Sequence, residues 1–202
     1  MRAYDKNTQG IGIDHVHAER KCIRFNKRAV VRYVALLRGI NVGGNSIIPM
    51  ATLRAAFASC GVKNVSTFIA SGNVLFDAPR PPKLEVQLHK VLGLPIRLTL
   101  RTHAQMEAIV KHAPKGFGSK PEKFRYDVWF VIPPATPDDV VAELKPTPGV
   151  DTVSAGDGVV YATRLIAKAS QSRLTRIVGT PIYASVTIRS WNTTRKLAEL
   201  SG

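Results

Sequence analysis

Residues 33–45 of the chain read YVALLRGINVGGN. The apolar run that opens this stretch predicts a buried β-strand at 33–38, ending at Arg38. A loop with three glycines and two asparagines follows. Glycine lets successive backbone N–H groups turn toward a ligand, and such groups bind anions. With a basic side chain beside it, the loop predicts a site for a phosphate or a carboxylate.

The loop matches neither of two common phosphate-binding fingerprints. No Gly-Lys-Ser/Thr sequence follows it, which excludes a P-loop. Its glycines, Gly39, Gly43 and Gly44, also have the wrong spacing for a dinucleotide-binding turn. The loop therefore indicates an anion site without identifying a reaction.

Working outward from this strand, the periodicities of apolar residues and the turn signals predict the same order of elements twice. The first half has strands at 33–38, 65–69, 74–77 and 95–100, and helices at 50–60, 84–92 and 102–112. The second half has strands at 126–132, 150–154, 159–163 and 182–188, and helices at 137–144, 170–178 and 190–200. Each half therefore has the order β-α-β-β-α-β, followed by an additional helix.

That order of the first six elements is the order of a ferredoxin-like unit, an antiparallel sheet backed by helices. The ends of the two halves support a repeat, because LTLRT at 98–102 resembles VTIRS at 186–190. We predict an α+β protein with ferredoxin-like halves at 32–112 and 126–202. A linker or mobile loop is expected at 113–125, and an N-terminal extension at 1–31, whose order stays open.

Composition narrows the classes of protein. The 202 residues carry a net charge of +15, which favours polyanionic partners, including nucleic acid. No apolar run reaches the roughly 18 residues of a membrane helix, so no membrane partner is expected. The two cysteines, Cys22 and Cys60, form no CxxC pair and indicate a reducing, cytoplasmic setting. We predict a monomer with neither a metal nor a cofactor.

Three motifs resemble the DUF1697 family of uncharacterised bacterial proteins. They are YVALLRGINVGG at 33–44, SGNV at 71–74 and RSWNT at 189–193, and the resemblance covers about residues 33–200. It implies a compact α+β protein with a duplicated ferredoxin-like arrangement, no established activity and no catalytic residues that could be transferred. Ser190 departs from the family pattern, which usually has asparagine before the tryptophan, and the stretch after Tyr161 lacks the usual Pro-Gly segment.

Polar residues end three of the predicted strands, and we expect them to share one cleft if the two sheets lie side by side. The candidate ligand-binding residues are Arg38, Gly39, Asn41, Gly43, Gly44, Asn45, Ser71, Asn73, Arg189 and Asn192. Arginine offers a planar fork to phosphate, and asparagine offers uncharged donors and acceptors. The alternative is that the glycines and asparagines form turns while Arg189 and Asn192 satisfy helix ends.

Three functions stay open on this basis. The first is binding of an anionic, phosphate-like or nucleotide-like ligand at the loop. The second is a nucleic-acid-binding module that uses the basic body and the basic and aromatic residues at 120–129. The third is an enzyme acting on a phosphorylated metabolite at the same site, and the sequence does not decide whether the chain is an enzyme.

Overall fold

The structure, a computed structural model, describes residues 29–41 and 47–202. The first half contains β1 (Val31–Leu37), α1 (Met50–Ser59), β2 (Lys63–Thr67), β3 (Asn73–Ala78), α2 (Glu85–Leu92), β4 (Leu98–Thr102) and α3 (His103–Lys111). The second half contains β5 (Phe124–Val131), α4 (Pro137–Glu143), β6 (Asp151–Gly156), β7 (Val159–Leu165), β8 (Val186–Ser190) and α5 (Trp191–Leu200). The predicted extension at 1–31 falls almost wholly outside the described residues.

The strands form two four-stranded antiparallel sheets with the same internal order. The first sheet has the order β2-β3-β1-β4, and the second has the order β6-β7-β5-β8. Their registers also correspond, since Val34 lies opposite Arg101 in the first sheet and Val128 lies opposite Arg189 in the second. The prediction of an α+β protein with two antiparallel sheets is confirmed.

Alternation along β1 explains how each sheet is buried on both faces. Side chains of a strand point to opposite faces in turn, so Ala35 and Leu37 lie on one face while Val34 and Leu36 lie on the other. The first pair packs in a cluster with residues of α1 and α2, including Phe57. Because all four strand residues are buried, β1 reads as a continuous apolar run.

The other face of β1 belongs to a central cluster that joins the halves. Val34 and Leu36 of the first half pack there with Val128 and Phe130 of the second. Helices α3 and α5 complete the cluster, and they contribute Met106 and Leu197 to it. The two sheets therefore share one apolar layer, which fixes the relative position of the halves.

The prediction of an α-helix at 170–178 is wrong. Three short 3-10 helices stand in its place, at Ile166–Gln171, Leu174–Ile177 and Pro181–Ser185. The run before Gly179 has Leu174, Ile177 and Val178 as its apolar residues, which is too few to form the apolar face that stabilises a short α-helix by packing. The second half therefore covers its sheet with α4 and an irregular segment, where the first half uses two α-helices.

The segment predicted as a linker forms turns that pack against the second half. The ring of Phe117 makes edge-to-face contacts with Tyr126, Tyr161 and Trp191, with ring centroids 5.0, 5.4 and 5.1 Å away. Such aromatic pairs add to the stabilisation that burial supplies. None of the helices in the described part of the chain is long and apolar enough to cross a membrane.

Candidate functional site

Arg189 on β8 reaches across to the other sheet and has its donors engaged there. Its Nη2 donates to the backbone oxygens of Leu37 and Ser71, at 2.9 and 3.0 Å, and its Nε donates to the side-chain oxygen of Asn73. Its Nη1 donates to Thr187 Oγ1 at 2.9 Å and to the preceding backbone carbonyl at 2.8 Å. A guanidinium has five N–H donors, so protein acceptors use its whole capacity.

The buried position of Arg189 also shows in its electrostatics. The residue is 7% exposed, and burial lowers the pKa of its guanidinium to about 10. Desolvation disfavours the charged form, and the acceptors around the guanidinium offset that cost. Arg189 thus holds the two halves together at the ends of β1 and β3.

Two of the four asparagines in the candidate set, Asn41 and Asn73, are also engaged by backbone groups. Asn41, at a φ of 56°, donates to the carbonyls of Ile48 and Ala70, each at 2.9 Å. Its side-chain oxygen accepts from the backbone N–H of Ile48 at 2.6 Å. Asn73 is fully buried and donates to the carbonyl of Phe68 at 3.0 Å. Both side chains organise turns, as the alternative interpretation of the sequence proposed.

The remaining candidates lie in different places. Arg38 donates from Nε to the carbonyl of Tyr183 at 3.2 Å, and its guanidinium carbon stands 4.9 Å from the centre of that ring. Gly39 follows with a φ of 70°, which suits glycine. Asn192 is exposed on α5. The predicted roles of Gly43, Gly44 and Asn45 fall outside the described residues.

The structure therefore brings Ser71, Asn73 and Arg189 together, in a buried contact between the halves. It places Arg38 against Tyr183 and Asn192 on a separate surface. Within the described part of the chain, the candidate residues do not line one common cleft.

Arg101 on β4, which is not among the residues predicted from the sequence, makes the counterpart contact. Its Nη2 donates to the carbonyl of Gly158 at 2.7 Å and approaches that of Val131 at 3.4 Å, while its Nη1 donates to Thr99 Oγ1 at 2.6 Å. Burial lowers the pKa of Arg101, whereas nearby Asp157 acts in the opposite direction. We call Arg101 and Arg189 the interface arginines. The resemblance between 98–102 and 186–190 was the signal that could have found the pair.

A groove of about 690 Å³ brings three further arginines together, and we call it the arginine groove. Arg125 comes from β5, Arg164 from β7 and Arg195 from α5. Phe124, Tyr126, Trp191 and Asn192 are among the residues that line it, and Asp and Glu are absent from its lining within the described part of the chain.

The register of the second sheet explains part of this concentration of charge. Arg125 lies directly opposite Arg164 across the β5–β7 pair. Like charges in this position are unfavourable. The Nε of Arg125 donates to Asp127 at 2.9 Å, which offsets some of the repulsion. The third cation, Arg195, lies on α5 after its first turn. At the start of this helix the dipole is positive, and Ser190 caps the backbone. An anion bound in the groove would relieve this repulsion.

The described residues give little support to a nucleophilic cysteine or to a metal site. Burial raises the pKa of the Cys60 thiol, which disfavours the reactive thiolate. Across residues 29–41 and 47–202, His, Cys, Asp and Glu side chains form no group of three able to hold a metal ion.

Comparisons with known proteins agree with the resemblance seen in the motifs. Residues 30–161 match the DUF1697 family, described as a protein of unknown function. The structure is similar to that of the conserved bacterial protein SP0830 from Streptococcus pneumoniae, with a TM-score of 0.73 and 23% identity. The similarity covers 86% of this chain and 100% of the other, and it supports the fold alone. A comparison with curated proteins gives no match. The extent of the family match, over more than half of the chain, establishes that this protein belongs to the DUF1697 family.

Proposed function

We propose that this protein binds a phosphate-bearing ligand in the arginine groove. The observation that carries the proposal is the convergence of Arg125, Arg164 and Arg195 on one surface without an acidic side chain in its lining. Arginine binds phosphate through two parallel N–H donors, and charge-assisted bonds of this kind are strong. The ligand is an anion, as predicted from the sequence, but it binds in the arginine groove rather than at the glycine–asparagine loop.

The groove is a better candidate than the buried cluster of Ser71, Asn73 and Arg189 because its arginines have more free capacity. The N–H donors of Arg189 and Asn73 form hydrogen bonds with acceptors of the protein itself. Arg164 and Arg195 have no acidic partner within 4.0 Å in the described part of the chain. A guanidinium without such a partner is available to a ligand.

We also propose that the two halves, at 32–112 and 126–202, are related ferredoxin-like units. The matching strand orders and registers support this, as do the interface arginines at corresponding positions. The second unit has lost the helix between its third and fourth strands. This departure removes the regular cover from one side of its sheet.

Titration calorimetry at low salt with ribose 5-phosphate and with the four nucleoside monophosphates tests the proposed binding. We expect the double variant Arg164→Ala, Arg195→Ala to bind the phosphate compounds at least tenfold more weakly than the unmodified chain. The matched control is Arg54→Ala with Arg80→Ala, which removes two exposed cations away from the groove. Equal weakening in the two double variants would show a general effect of net charge, and absence of binding to the unmodified chain would contradict the proposal.

A nucleic-acid strand is the second candidate ligand, favoured by the net charge of +15 and by Phe124 and Tyr126 beside the arginines. Bases stack on aromatic side chains, and affinity for a strand falls steeply with salt. A strand ligand predicts that affinity for single-stranded oligonucleotides rises with length and exceeds that for mononucleotides. Affinity that is independent of length would leave the mononucleotide as the better description.

A further inference from the structure

A second cavity, of about 360 Å³, lies on the outer face of the second sheet. Asp127 and Trp129 of β5 line it from the sheet, and Leu174, Ile177 and Tyr183 line it from the 3-10 helices. We call it the covered cavity. Its volume lies within the range of small-molecule sites, roughly 300–1,000 Å³.

The covered cavity exists because the second half lacks a helix that the first half has. On the corresponding face of the first sheet, Leu84 and Leu88, at the start of α2 and within it, are fully buried and fill the space. The 3-10 helices offer only Leu174 and Ile177 as buried residues. Fewer large apolar side chains point at the second sheet, and space is left above it.

Two buried polar atoms belong to residues that line this cavity. Trp129 Nε1 and Asp127 Oδ1 have no hydrogen-bond partner in the described part of the chain. The tryptophan is only 4% exposed. An unsatisfied buried donor or acceptor costs about 1–3 kcal/mol, and folded proteins leave few of them. Here one donor and one acceptor lie two residues apart on the same strand, about 7 Å from one another along the backbone.

The covered cavity and the arginine groove adjoin each other. Arg125, Arg164 and Ser190 line both of them. One ligand with an anionic end and an uncharged end could therefore occupy the two together. Its uncharged end would need one hydrogen-bond acceptor, one donor and faces that tolerate apolar walls such as Leu174 and Ile188.

We propose that the phosphate-bearing ligand is a nucleotide, with its phosphate in the arginine groove and its heterocyclic base in the covered cavity. This inference rests on the proposed function and specifies its ligand class. A base has apolar faces and carries donors and acceptors on one edge, which would pair with Trp129 Nε1–H and Asp127 Oδ1 once the 3-10 helices shift enough to uncover these two buried atoms. A sugar phosphate lacks the apolar faces, and a lipid chain lacks the polar edge.

The two tryptophans of the chain allow a direct test, because Trp129 lines the covered cavity and Trp191 lines the groove. Nuclear magnetic resonance of the ¹⁵N-labelled chain gives one indole N–H signal for each, assigned with Trp129→Phe. We expect ribose 5-phosphate to shift the Trp191 signal alone. At least one nucleoside monophosphate should shift both signals and bind about tenfold more tightly, since the Trp129 donor then gains an acceptor.

Affinity measurements on two variants complete the test. Trp129→Phe should weaken nucleotide binding about tenfold and leave ribose 5-phosphate binding unchanged. The matched control is Tyr161→Phe, which removes a buried donor from the opposite face of the same sheet. It should leave both affinities unchanged.

The outcomes separate this inference from the proposed function. If nucleotides and ribose 5-phosphate bind equally well and the Trp129 signal does not move, the inference is wrong and the arginine groove still binds phosphate. If none of these compounds binds, both proposals are wrong.

Discussion

The first and second halves of this protein use an arginine in the same way at their contact. Arg101 and Arg189 occupy corresponding register positions, and each donates to backbone carbonyls of the other half. Each also donates from Nη1 to the threonine two residues earlier, Thr99 or Thr187. The contact is therefore reciprocal, and a single local sequence pattern, present twice, builds both sides of it.

The halves differ at the position facing each arginine. Asn73 begins β3 of the first half and accepts a hydrogen bond from Arg189, whereas Val159 begins β7 at the corresponding position of the second half. The halves also differ in what packs on the outer face of each sheet. Helix α2 packs there in the first half, and the 3-10 helices take its place in the second half. The two halves thus share the same kind of contact, whereas the arginine groove and the covered cavity, among the described residues, lie in the second half.

The largest effect that separates the two sides of the contact is expected for Arg189→Met. This change leaves several buried acceptors, among them the carbonyls of Leu37 and Ser71, without their donor. We expect the free energy of unfolding to fall by about 3 kcal/mol, and by about 1 kcal/mol for Arg101→Met, whose arginine is half-buried. Urea unfolding measures both.

Arg80→Met serves as the control for these two variants because Arg80 is exposed. It should change the free energy of unfolding by less than about 0.5 kcal/mol. If Arg189→Met proves no more harmful than this control, the contact does not hold the halves together.

The next effect concerns Asn73→Val, which gives the first half the residue found at the corresponding position of the second. It removes the acceptor of Arg189 Nε and the donor to Phe68. We expect a loss of about 2 kcal/mol in urea unfolding. An unchanged free energy of unfolding would mean that the contact of Arg189 does not depend on the side chain of Asn73.

A smaller effect is expected for Gly118→Ala in the turns before β5. A Cβ on Gly118 would overlap the indole of Trp191, and its φ of 83° is itself unfavourable for alanine. Gly116→Ala is a matched control, since its φ is 80° and its new Cβ would meet only Ser119 Oγ at 3.7 Å. We expect Gly118→Ala to lower the free energy of unfolding, measured by thermal denaturation, by about 1–2 kcal/mol more than Gly116→Ala does. Equal losses in the two variants would contradict the packing of Gly118 against Trp191.

The smallest effect is a dependence on alkaline pH in the second half. Burial raises the pKa of Tyr161 to about 12, from 10.0, with a contribution from Asp157. The stability that the neutral phenol contributes is therefore complete below pH 10 and is lost as the pH rises toward 12. Between pH 10 and 11 the unmodified chain should lose up to about 1 kcal/mol more than Tyr161→Phe. Parallel pH profiles of unfolding for the two chains would contradict this.

Local signals in the sequence were sufficient for most of the fold. Thr102 caps α3 in a capping box with Gln105, Ser190 caps α5, and Gly93 ends α2 in the left-handed conformation. These features depend on residues a few positions apart, so the sequence contains them directly. The helix predicted at 170–178 was wrong because its apolar residues do not decide between helical and irregular packing.

The candidate site was much harder to predict. Arginine, serine and asparagine at strand ends indicated a ligand, but Arg189 and Asn73 meet backbone carbonyls that sequence alone does not locate. The arginine groove combines Arg125, Arg164 and Arg195 from three distant segments, and only the register of β5 with β7 reveals that the first two oppose each other. Long-range pairing supplies the information that was missing.

Arg101 and Arg189, at corresponding positions of the two halves, are structural, whereas Arg125, Arg164 and Arg195 are proposed to bind the ligand. Titration calorimetry with ribose 5-phosphate on Arg101→Met and Arg164→Ala, measured side by side, distinguishes these two roles. We expect an unchanged affinity for Arg101→Met and an affinity about tenfold weaker for Arg164→Ala. Weaker binding by Arg101→Met with unchanged binding by Arg164→Ala would contradict this assignment of roles.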